Sequence, residues 1–534
     1  MHYIINPVLK GFNPDPSILR VGDDYYIATS TFEWFPGVQI HHSRDLIHWR
    51  LVTRPLNRVS QLNMAGDVNS GGIWAPCLSY DDHQKLFYLI YTDVKTKGPS
   101  LFRDTHNYLV TASDILGEWS DPVYLNSSGF DPSLFHDDDG RKWLVNMVCE
   151  YRKGRNRFGG ILLQEYSPEE KRLVGSITNI FNGTGLGKTE GPHLYKWHGY
   201  YYLLTAEGGT GFGHAVTIAR SSRVEGPYEV DPANPVLTSA TDPTLLIQRA
   251  GHGDIVETQN GELYMAHLCG RPVPNRGRCV LGRETSIQKL VWSADKWPRL
   301  ASGGNKPQVE VEAPNLPLHP WELEPARDDF DAPRLNIHFQ TLRVPLGEDS
   351  LSLTERKGYL RLKGGESLAS RFKQSLIARR QQSFCYTATT CIEFEPETFQ
   401  QMAGLVCIYD VETFYYLRIS RDETLGKSLG IITAQNNVFD QPLEREVGID
   451  GWQRCYLRVT VDYDRLQFHY SADGAAWNPI GPVFDATTLS DECCAEGQSK
   501  FTGAFVGLCC QDLSGRRKPA DFDFFEYQER EFEG

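Results

Sequence analysis

The stretch Gly11-Phe12-Asn13-Pro14-Asp15-Pro16-Ser17-Ile18-Leu19 places one carboxylate, Asp15, between two prolines and directly before an apolar run. Proline fixes its own φ and disfavours the helical region for the residue before it, so we expect Asp15 to be extended and rigid at the start of a strand. An acid followed by proline and an apolar strand recurs at Phe130-Asp131-Pro132-Ser133-Leu134-Phe135 and Thr241-Asp242-Pro243-Thr244-Leu245-Leu246, with a variant at Glu190-Gly191-Pro192-His193-Leu194. Either the repeat is architectural, or its acids converge on one site, or both.

A longer repeat surrounds these stretches. Each short inner strand precedes a run rich in aromatic residues, and the five runs lie roughly 55–65 residues apart, a period typical of propeller blades. The inner strands are predicted at 15–19, 74–78, 131–135, 190–195 and 253–256, and the aromatic runs at 23–30, 85–91, 141–147, 199–205 and 261–267. An inner strand, an aromatic second strand, a third strand and a turn into a fourth make a four-stranded blade. We therefore predict a five-bladed β-propeller over residues 1–305.

The character of the sequence changes after residue 305. Prolines at 307, 314, 317, 320 and 325 identify residues 306–326 as a linker, because this segment is too rich in proline for a central strand or a helix. From 327 to 534, alternating runs such as 414–419 and 455–461 are separated by Asp-Gly turns. Short strands with frequent turns favour a β-sandwich, here of the lectin-like jelly-roll kind. The expected fold class is therefore all-β.

The composition argues against several classes of partner. Over 534 residues, 54 Lys and Arg against 68 Asp and Glu give a net charge of −14, which fits a neutral substrate better than a nucleic acid or an anionic membrane surface. The N-terminus lacks the pattern of a signal peptide, and no apolar stretch approaches about 18 residues. The 12 cysteines follow no metal-ligand spacing, so we interpret them as thiols in a reducing cytosol. We expect a cytoplasmic protein.

Three of the repeated acids are candidates for catalysis. The inner strands of a propeller surround a central channel, so Asp15, Asp131 and Glu190, at corresponding strand starts, are expected to face one space. Like charges at close range raise the pKa of at least one carboxyl, which keeps an acid protonated near neutral pH, as glycoside hydrolysis requires. The alternative is that acid–proline pairs only mark where strands begin, which is how we interpret Asp242.

Together these motifs resemble glycoside hydrolase family 43, and specifically its two-domain β-xylosidases. The motifs are Asn13-Pro14-Asp15-Pro16, Trp74-Ala75-Pro76, Gly129-Phe130-Asp131-Pro132-Ser133, Lys188-Thr189-Glu190-Gly191-Pro192 and Leu281-Gly282-Arg283-Glu284-Thr285. The resemblance also covers 504–507 and 520–524, and so spans nearly the whole chain. It implies that Asp15 is the general base that activates water and that Glu190 is the general acid that protonates the leaving oxygen. It further implies that Asp131 tunes the pKa of the acid and orients it.

The resemblance also implies which residues hold the sugar. Arg283 is expected to contact sugar hydroxyls and to hold the acids in place, the alternative being a structural ion pair. Trp74 and Phe32 are candidates for aromatic walls of the sugar site or, equally, for propeller core. Thr210, in a glycine-rich turn near the site, is a further substrate-binding candidate. Phe505 is the sandwich residue expected to close one side of the pocket, which would make the pocket a dead end suited to exo action.

His252 precedes the fifth inner strand and is expected to point into the channel, where we favour a hydrogen-bonded histidine. The resemblance implies an alternative, a calcium ion in the propeller channel held there largely by water. A single histidine is poor support for such an ion, because calcium prefers oxygen ligands. The expected reaction requires no cofactor.

The expected activity is removal of xylose from the non-reducing end of β-1,4-xylo-oligosaccharides by an inverting exo-glycosidase, with side activity on α-L-arabinofuranosides. The alternatives are a dedicated α-L-arabinofuranosidase and a non-catalytic carbohydrate-binding protein. A pure binder would gain nothing from three adjacent buried carboxylates, whose repulsion and desolvation cost free energy. By the same resemblance, the chain is expected to form a homo-oligomer, either a dimer or a tetramer.

Overall fold

The N-terminal part of the chain is a five-bladed β-propeller, as predicted. The computed structural model describes residues 2–97, 101–274 and 277–530. Each blade is an antiparallel sheet of four strands, and the fourth blade carries an additional strand, Leu237–Thr238, beside its third. The first strands of neighbouring blades contact one another in a closed ring, so their starting residues surround one channel.

The strands of each blade run from the channel outward. Blade 1 consists of Ser17–Val21, Asp24–Thr29, Gln39–Ser43 and Arg50–Thr53. Blade 2 consists of Gly72–Asp81, Leu86–Val94, Thr105–Ala112 and Val123–Asn126. Blade 3 consists of Ser133–His136, Lys142–Cys149, Phe158–Ser167 and Arg172–Phe181. Blade 4 consists of Glu190–Trp197, Tyr200–Glu207, Ala215–Ser221 and Glu229–Val230, and blade 5 of Gln248–Glu257, Leu263–Gly270, Glu284–Trp292 and Pro298–Leu300.

The second strand of blade 1 is buried on both faces because a neighbouring blade packs on each. Within Asp24–Thr29, Tyr26 and Ala28 lie in the core between blades 1 and 2, whereas Tyr25 and Ile27 lie in the core between blades 1 and 5. Successive side chains of a strand point to opposite faces, so two buried faces produce a continuous apolar run. This packing explains why the repeat appears in the sequence as continuous aromatic runs rather than as alternating apolar and polar residues.

The N-terminus pairs with the segment that follows blade 5. Tyr3–Ile5 runs antiparallel to Glu310–Glu312, and the Asn6 side chain donates to the Ile287 carbonyl (2.7 Å). The proline-rich segment 306–326 therefore includes a short strand, which joins the two ends of the propeller.

The C-terminal part is a β-sandwich of two antiparallel sheets. Across the first sheet the strands are Leu351–Ser352, Leu360–Lys363, Pro519–Glu529, Cys385–Glu393, Cys455–Asp462, Arg465–Ser471 and Asn478–Asp485, with Arg327–Asp328 also paired to Pro519–Glu529. Across the second sheet they are Ser375–Arg380, Phe505–Asp512, Gln401–Asp410, Thr413–Asp422, Gly426–Gln435 and Val438–Asp440, with Val447–Gly448 beside Gly426–Gln435. The helical segments of the described residues are two 3₁₀ turns, Ala486–Thr488 and Asp491–Cys493, so the all-β prediction is confirmed.

Two further features concern membrane-spanning helices and the cysteines. No helix within the described ranges is both long and apolar enough to cross a membrane. All twelve cysteines are free thiols, and most of them are buried.

The second sheet of the sandwich packs on the propeller. In Gln401–Asp410, Leu405 and Cys407 face the sandwich core, whereas Val406 and Ile408 face an interdomain core shared with propeller aromatic side chains. Arg343 adds a buried polar contact, because its Nε donates to the propeller carbonyl of Asp67 (2.9 Å). The two domains are therefore joined by a continuous apolar core, with polar contacts set into it.

Candidate active site

Each blade has a residue in the left-handed backbone region near the start of its inner strand: two residues before the strand in blades 1 and 3, and within its first five residues in blades 2, 4 and 5. These residues are Asp15 (φ 54°), Ala75 (φ 35°), Asp131 (φ 54°), Gly191 (φ 55°) and His252 (φ 47°). The prediction that Asp15 is extended is therefore wrong, because the tertiary fold turns the chain at this point in every blade. A left-handed residue other than glycine costs about 1–2 kcal/mol, which the closed ring must offset.

Glu190 lies in a different register from the two aspartates. By backbone conformation the fourth-blade counterpart of Asp15 and Asp131 is Gly191, so Glu190 lies one residue before that position. The pairing of its strand is irregular between Glu190 and His193, as in a β-bulge, which re-aims a side chain. Glu190 lines the same cavity as the aspartates, although the predicted correspondence of the three acids is off by one residue.

Asp15 accepts a hydrogen bond on each of its carboxylate oxygens. Arg283 Nη1 donates to Oδ1 (2.9 Å), and Ser30 Oγ donates to Oδ2 (2.6 Å). Ser30 is fixed in turn, because its Oγ accepts from the Ala75 N–H (2.7 Å). An ionised carboxylate has about four lone-pair sites, so Asp15 can accept both bonds and still receive a proton from another group.

Glu190 and Asp131 are buried carboxyls with raised pKa values. Burial and the charge of Asp15 raise the pKa of Glu190 to about 7, against the opposing effect of Arg283. Burial and the charges of Glu190 and Asp15 also raise the pKa of Asp131, whose Oδ2 accepts from the Gly191 N–H (3.0 Å). Interacting carboxyls release their protons as a set, so this group holds a proton near neutral pH.

A cavity of about 440 Å³ brings these acids together with most of the predicted sugar-binding residues. The predicted residues that line it are Asp15, Phe32, Trp74, Asp131, Glu190, Thr210, His252 and Arg283. Phe32, Trp74 and Phe130 form a contacting aromatic wall, with ring centroids 5.7 Å apart for Phe32 and Trp74 and 5.5 Å apart for Trp74 and Phe130. An apolar wall opposite a few convergent polar groups is the usual form of a small-molecule site.

Phe505 does not line this cavity, so its prediction as the closing residue is wrong. It is fully buried in the interdomain core, where its ring stacks on Trp34 with centroids 3.8 Å apart. Phe501 lines the cavity instead, together with Gly497 and Ser499 of the same loop. Phe505 begins a strand of the sheet that packs on the propeller, whereas Phe501 lies in the loop before that strand and reaches the site.

Ion pairs and hydrogen bonds hold the loop that carries Phe501. The neighbouring Lys500 is 6% exposed and pairs with Asp410 at 2.7 Å. The Phe501 N–H donates to Ser70 Oγ (3.0 Å), and its carbonyl accepts from Arg283 Nη2 (3.1 Å). The sandwich therefore supplies one wall of the cavity, at a position set by propeller residues.

Sequence reasoning missed Phe130 and a set of cations in the cavity wall. Phe130 stands directly before Asp131 in the repeated motif, so its place in the repeat was the available signal. The missed cations are Lys97, Arg103, Arg157 and Lys188. They lie in loops and share no spacing along the chain, so only the closed ring brings them together.

His252 lies in the cavity but is not part of a metal-ligand cluster. A Cβ at Gly191 would lie 3.1 Å from its ring, so glycine there leaves room for the imidazole. Burial lowers the pKa of His252 to about 4, so the ring is neutral at neutral pH. Among the described residues, no group of three or more His, Cys, Asp or Glu side chains is placed to hold a metal ion. The side chains do not fit a calcium ion bound directly by the protein, and we assign no catalytic step to a metal.

Comparison with known families agrees with this geometry. Residues 4–298 match Glycosyl hydrolases family 43, and residues 327–528 match the Beta xylosidase C-terminal Concanavalin A-like domain. The chain belongs to glycoside hydrolase family 43. In this family-43 chain, the first match covers the propeller and the second covers the sandwich.

Several relatives match this family-43 chain over nearly its whole length. A Beta-xylosidase of Bacillus subtilis (strain 168) is 52% identical, covering 99% of this chain and 100% of that protein. A Xylan 1,3-beta-xylosidase of Vibrio sp. is 50% identical over 98% of this chain and 99% of that protein, and a Xylosidase/arabinosidase 43B of Humicola insolens is 51% identical over 99% and 98%. The crystal structure of xylan beta-1,4-xylosidase from Bacillus Halodurans C-125 has a TM-score of 0.97 and 58% identity, covering 98% of this chain and 100% of that one.

The two phenylalanines should differ in what their removal affects. Phe501→Ala removes a cavity wall and should raise KM for an aryl β-xyloside about tenfold, with little change in Tm. Phe505→Ala empties a fully buried site and should lower the free energy of unfolding by about 3–5 kcal/mol, with KM close to that of wild type. Steady-state kinetics and calorimetry on both variants test this. An unchanged Tm together with a raised KM for Phe505→Ala would contradict the assignment.

Proposed function

We propose that the chain is an inverting exo-glycosidase that releases xylose from the non-reducing end of β-1,4-xylo-oligosaccharides. The observation that carries this proposal is one cavity that holds an ion-paired Asp15 and a buried Glu190 of raised pKa beside an aromatic wall. Glycoside hydrolysis uses two carboxyls whose environments give them different protonation states. Membership of family 43 and the names of the relatives support the same class of reaction.

Asp15 is the general base in this proposal. It takes a proton from a water molecule while the water oxygen forms a bond to the anomeric carbon, on the face opposite the leaving group. Arg283 and Ser30 hold its two oxygens, which fixes the orientation of the carboxylate relative to the water. The left-handed backbone at Asp15 contributes to the same rigidity, because few conformations are open to a residue held there.

Glu190 is the general acid. As the glycosidic C–O bond breaks, its proton passes to the leaving oxygen, so the products are one free sugar of inverted configuration and a shortened oligosaccharide. Asp131 acts as a positioning residue: it accepts from the Gly191 N–H next to Glu190 and contributes to the shared negative charge. Arg283 opposes the rise in the pKa of Glu190 and so keeps it near neutrality.

The shape of the cavity supports exo action. The propeller supplies the acids and the wall of Phe32, Trp74 and Phe130, and Phe501 of the sandwich closes one side. A cavity that is blocked on one side admits the end of a chain rather than its middle. Arg283 fits a role in binding sugar hydroxyls, because it lines the same cavity and its guanidinium has more N–H donors than the two bonds to Asp15 and Phe501 use.

Side activity on α-L-arabinofuranosides is part of the proposal, and a dedicated arabinofuranosidase is the second candidate. The relative named Xylosidase/arabinosidase 43B favours the dual activity. The relative named Xylan 1,3-beta-xylosidase makes the linkage of the natural substrate a further variable. A cytoplasmic location and a dimeric or tetrameric assembly complete the proposal; the free thiols support the first.

Replacing Glu190 with glutamine should affect substrates according to their leaving groups. Hydrolysis of xylobiose needs a strong acid and should slow by a factor of about 10²–10⁴, whereas an aryl xyloside with a good leaving group should lose far less. The measurement is kcat for both substrates. Asp242→Asn is the matched control, because Asp242 has the same acid–proline sequence but pairs with Lys306 outside the cavity, and its kcat should be unchanged. Equal losses on both substrates in Glu190→Gln would contradict the role as acid.

The pH profile should report the protonation of Glu190. Since the acid must be protonated, kcat for xylobiose should fall as pH rises through about 7, and this fall is the basic limb of the pH profile. The Lys188 cation lowers the pKa of Glu190, so Lys188→Met should move this limb to higher pH. Lys85→Met, which removes an exposed cation far from the cavity, should leave the limb in place. A limb that moves to lower pH in Lys188→Met would contradict the assignment.

Two measurements on xylobiose test the stereochemistry and the sugar preference. Proton NMR during hydrolysis of xylobiose should show α-xylose as the first-formed anomer, because a single displacement inverts the β-linkage. The ratio of kcat/KM for xylobiose to that for an aryl α-L-arabinofuranoside should exceed one. A first-formed β-anomer would exclude inversion, and a ratio below one would favour the dedicated arabinofuranosidase.

A further inference from the structure

A second cavity lies between the propeller and the sandwich, away from the active site. We call this space of about 610 Å³ the interdomain cavity, and no described residue lines both it and the active-site cavity. Blade 1 contributes Arg54 and His41 to its lining, and the second sheet of the sandwich contributes Arg379 and Arg380. Its size lies in the range of about 300–1,000 Å³ typical of pockets that take small molecules.

The interior of the interdomain cavity carries buried positive charge without a counter-ion. Arg54 is 7% exposed and Arg380 is 5% exposed. Arg54 donates to Gln39 Oε1 and to the Ile337 carbonyl, and Arg380 donates to the Phe12 carbonyl (2.6 Å) and to a glutamine, all of which are neutral acceptors. No carboxylate of the described residues lies within 4.0 Å of either guanidinium. By contrast, Arg283, which is also buried, pairs with Asp15.

Several donors in the cavity also lack an acceptor. Within the described residues, Arg380 Nη2, Arg379 Nε and His41 Nδ1 are buried and make no hydrogen bond. Burial and the two neighbouring arginines lower the pKa of His41 well below its usual range, so the ring is neutral and can donate from one nitrogen. Burial likewise lowers the pKa of Arg54 to about 9, because this environment solvates a cation poorly.

The acids of the cavity lie at its rim and do not neutralise the interior. Among the described residues, five Lys or Arg side chains and three acidic ones line the space, and the acids Glu322, Glu324 and Glu529 are all exposed. Glu324 is moreover paired with His338. Burying a cation without a counter-ion costs free energy, and burying two that repel each other costs more. An anion between the two cations would replace this repulsion with attraction.

We propose that the interdomain cavity binds a phosphate-class oxyanion, either inorganic phosphate or the phosphate of a small phosphomonoester, through Arg54, Arg379, Arg380 and His41. A phosphate carries between one and two negative charges at neutral pH, which complements the two buried guanidinium groups, and its oxygens suit the planar donor forks of arginine. The aromatic side chains Trp49, Trp321 and Tyr527 line the remaining volume. The proposal of this site does not rest on the proposed hydrolase activity.

The anion site is linked to the strand that carries Asp15. Arg380 donates to the Phe12 carbonyl, and Gln39, which accepts from Arg54, donates to Asn13 Oδ1 (2.7 Å). An anion that holds both arginines therefore braces the segment just before Asp15 and joins it to the sandwich. Occupancy stabilises the domain interface by mass action, in proportion to the free anion concentration relative to Kd.

Calorimetric titration of the full chain with inorganic phosphate, at constant ionic strength in chloride, tests the proposal. We expect one saturable site per chain, a Tm that rises with phosphate concentration, and hydrolysis kinetics in which phosphate does not compete with substrate. Arg380→Met should raise the phosphate Kd at least about tenfold, since it removes a charge-assisted bidentate donor. Arg299→Gln, which breaks an ion pair with Asp231 elsewhere in the propeller, should leave this Kd unchanged.

The rival site for phosphate is the cationic wall of the active-site cavity. Lys188→Met should therefore leave the phosphate Kd unchanged, and a loss of binding in Lys188→Met but not in Arg380→Met would overturn the proposal. Absence of saturable binding to the wild-type chain, or competitive inhibition by phosphate, would overturn it as well, and neither result depends on a variant that folds. Titration with glycerol 3-phosphate, with glycerol as its control, distinguishes the two candidate ligands. Tighter binding than that of phosphate identifies a phosphomonoester as the ligand, and equal binding identifies inorganic phosphate.

Discussion

Arg283 joins three parts of the chain at the active site. Its Nη1 donates to Asp15 of blade 1 (2.9 Å), its Nη2 donates to the Phe501 carbonyl of the sandwich (3.1 Å), and it stands directly before the third strand of blade 5. Blades 1 and 5 are neighbours only because the propeller closes into a ring. Asp15 is therefore held by both contacts of Arg283 only in a chain whose ring is closed and whose second domain is docked. A planar guanidinium suits this task, because it donates in several directions from one rigid group.

The two cavities beside the segment that leads into blade 1 each bury side chains of like charge. On one side, Asp15, Asp131 and Glu190 are buried together, and burial with mutual repulsion raises the pKa of the last two. On the other side, Arg54 and Arg380 are buried without acids. Proteins tolerate such costs where the charges serve a ligand or a reaction. The acids accordingly fit the transfer of a proton from water and of another to a leaving oxygen, and the cations fit an anion.

Much of the fold was predictable because its burial leaves a simple pattern. A strand buried on both faces, such as Asp24–Thr29, becomes a continuous aromatic run, and five such runs indicate five blades. Asp15 and Asp131 were recognisable because each precedes a proline at a strand start. Local patterns did not show the backbone conformation at these positions. Each of these aspartates has a positive φ, and Glu190 lies one residue out of register with them, at a bulge. Phe501 and Phe505 belong to one short stretch, and nothing local shows which ring lines the cavity and which packs in the core.

The sequence by itself determined the all-β class, the five-fold repeat and the identity of the acids, because these follow from residue type and spacing along the chain. Only the tertiary structure decided which loop closes the pocket, which cations line it and how far burial raises the pKa of Glu190. It also decided that Arg54 of one domain lies in the same cavity as Arg380 of the other. These features depend on distances between residues remote in sequence, and ring closure and domain docking set those distances.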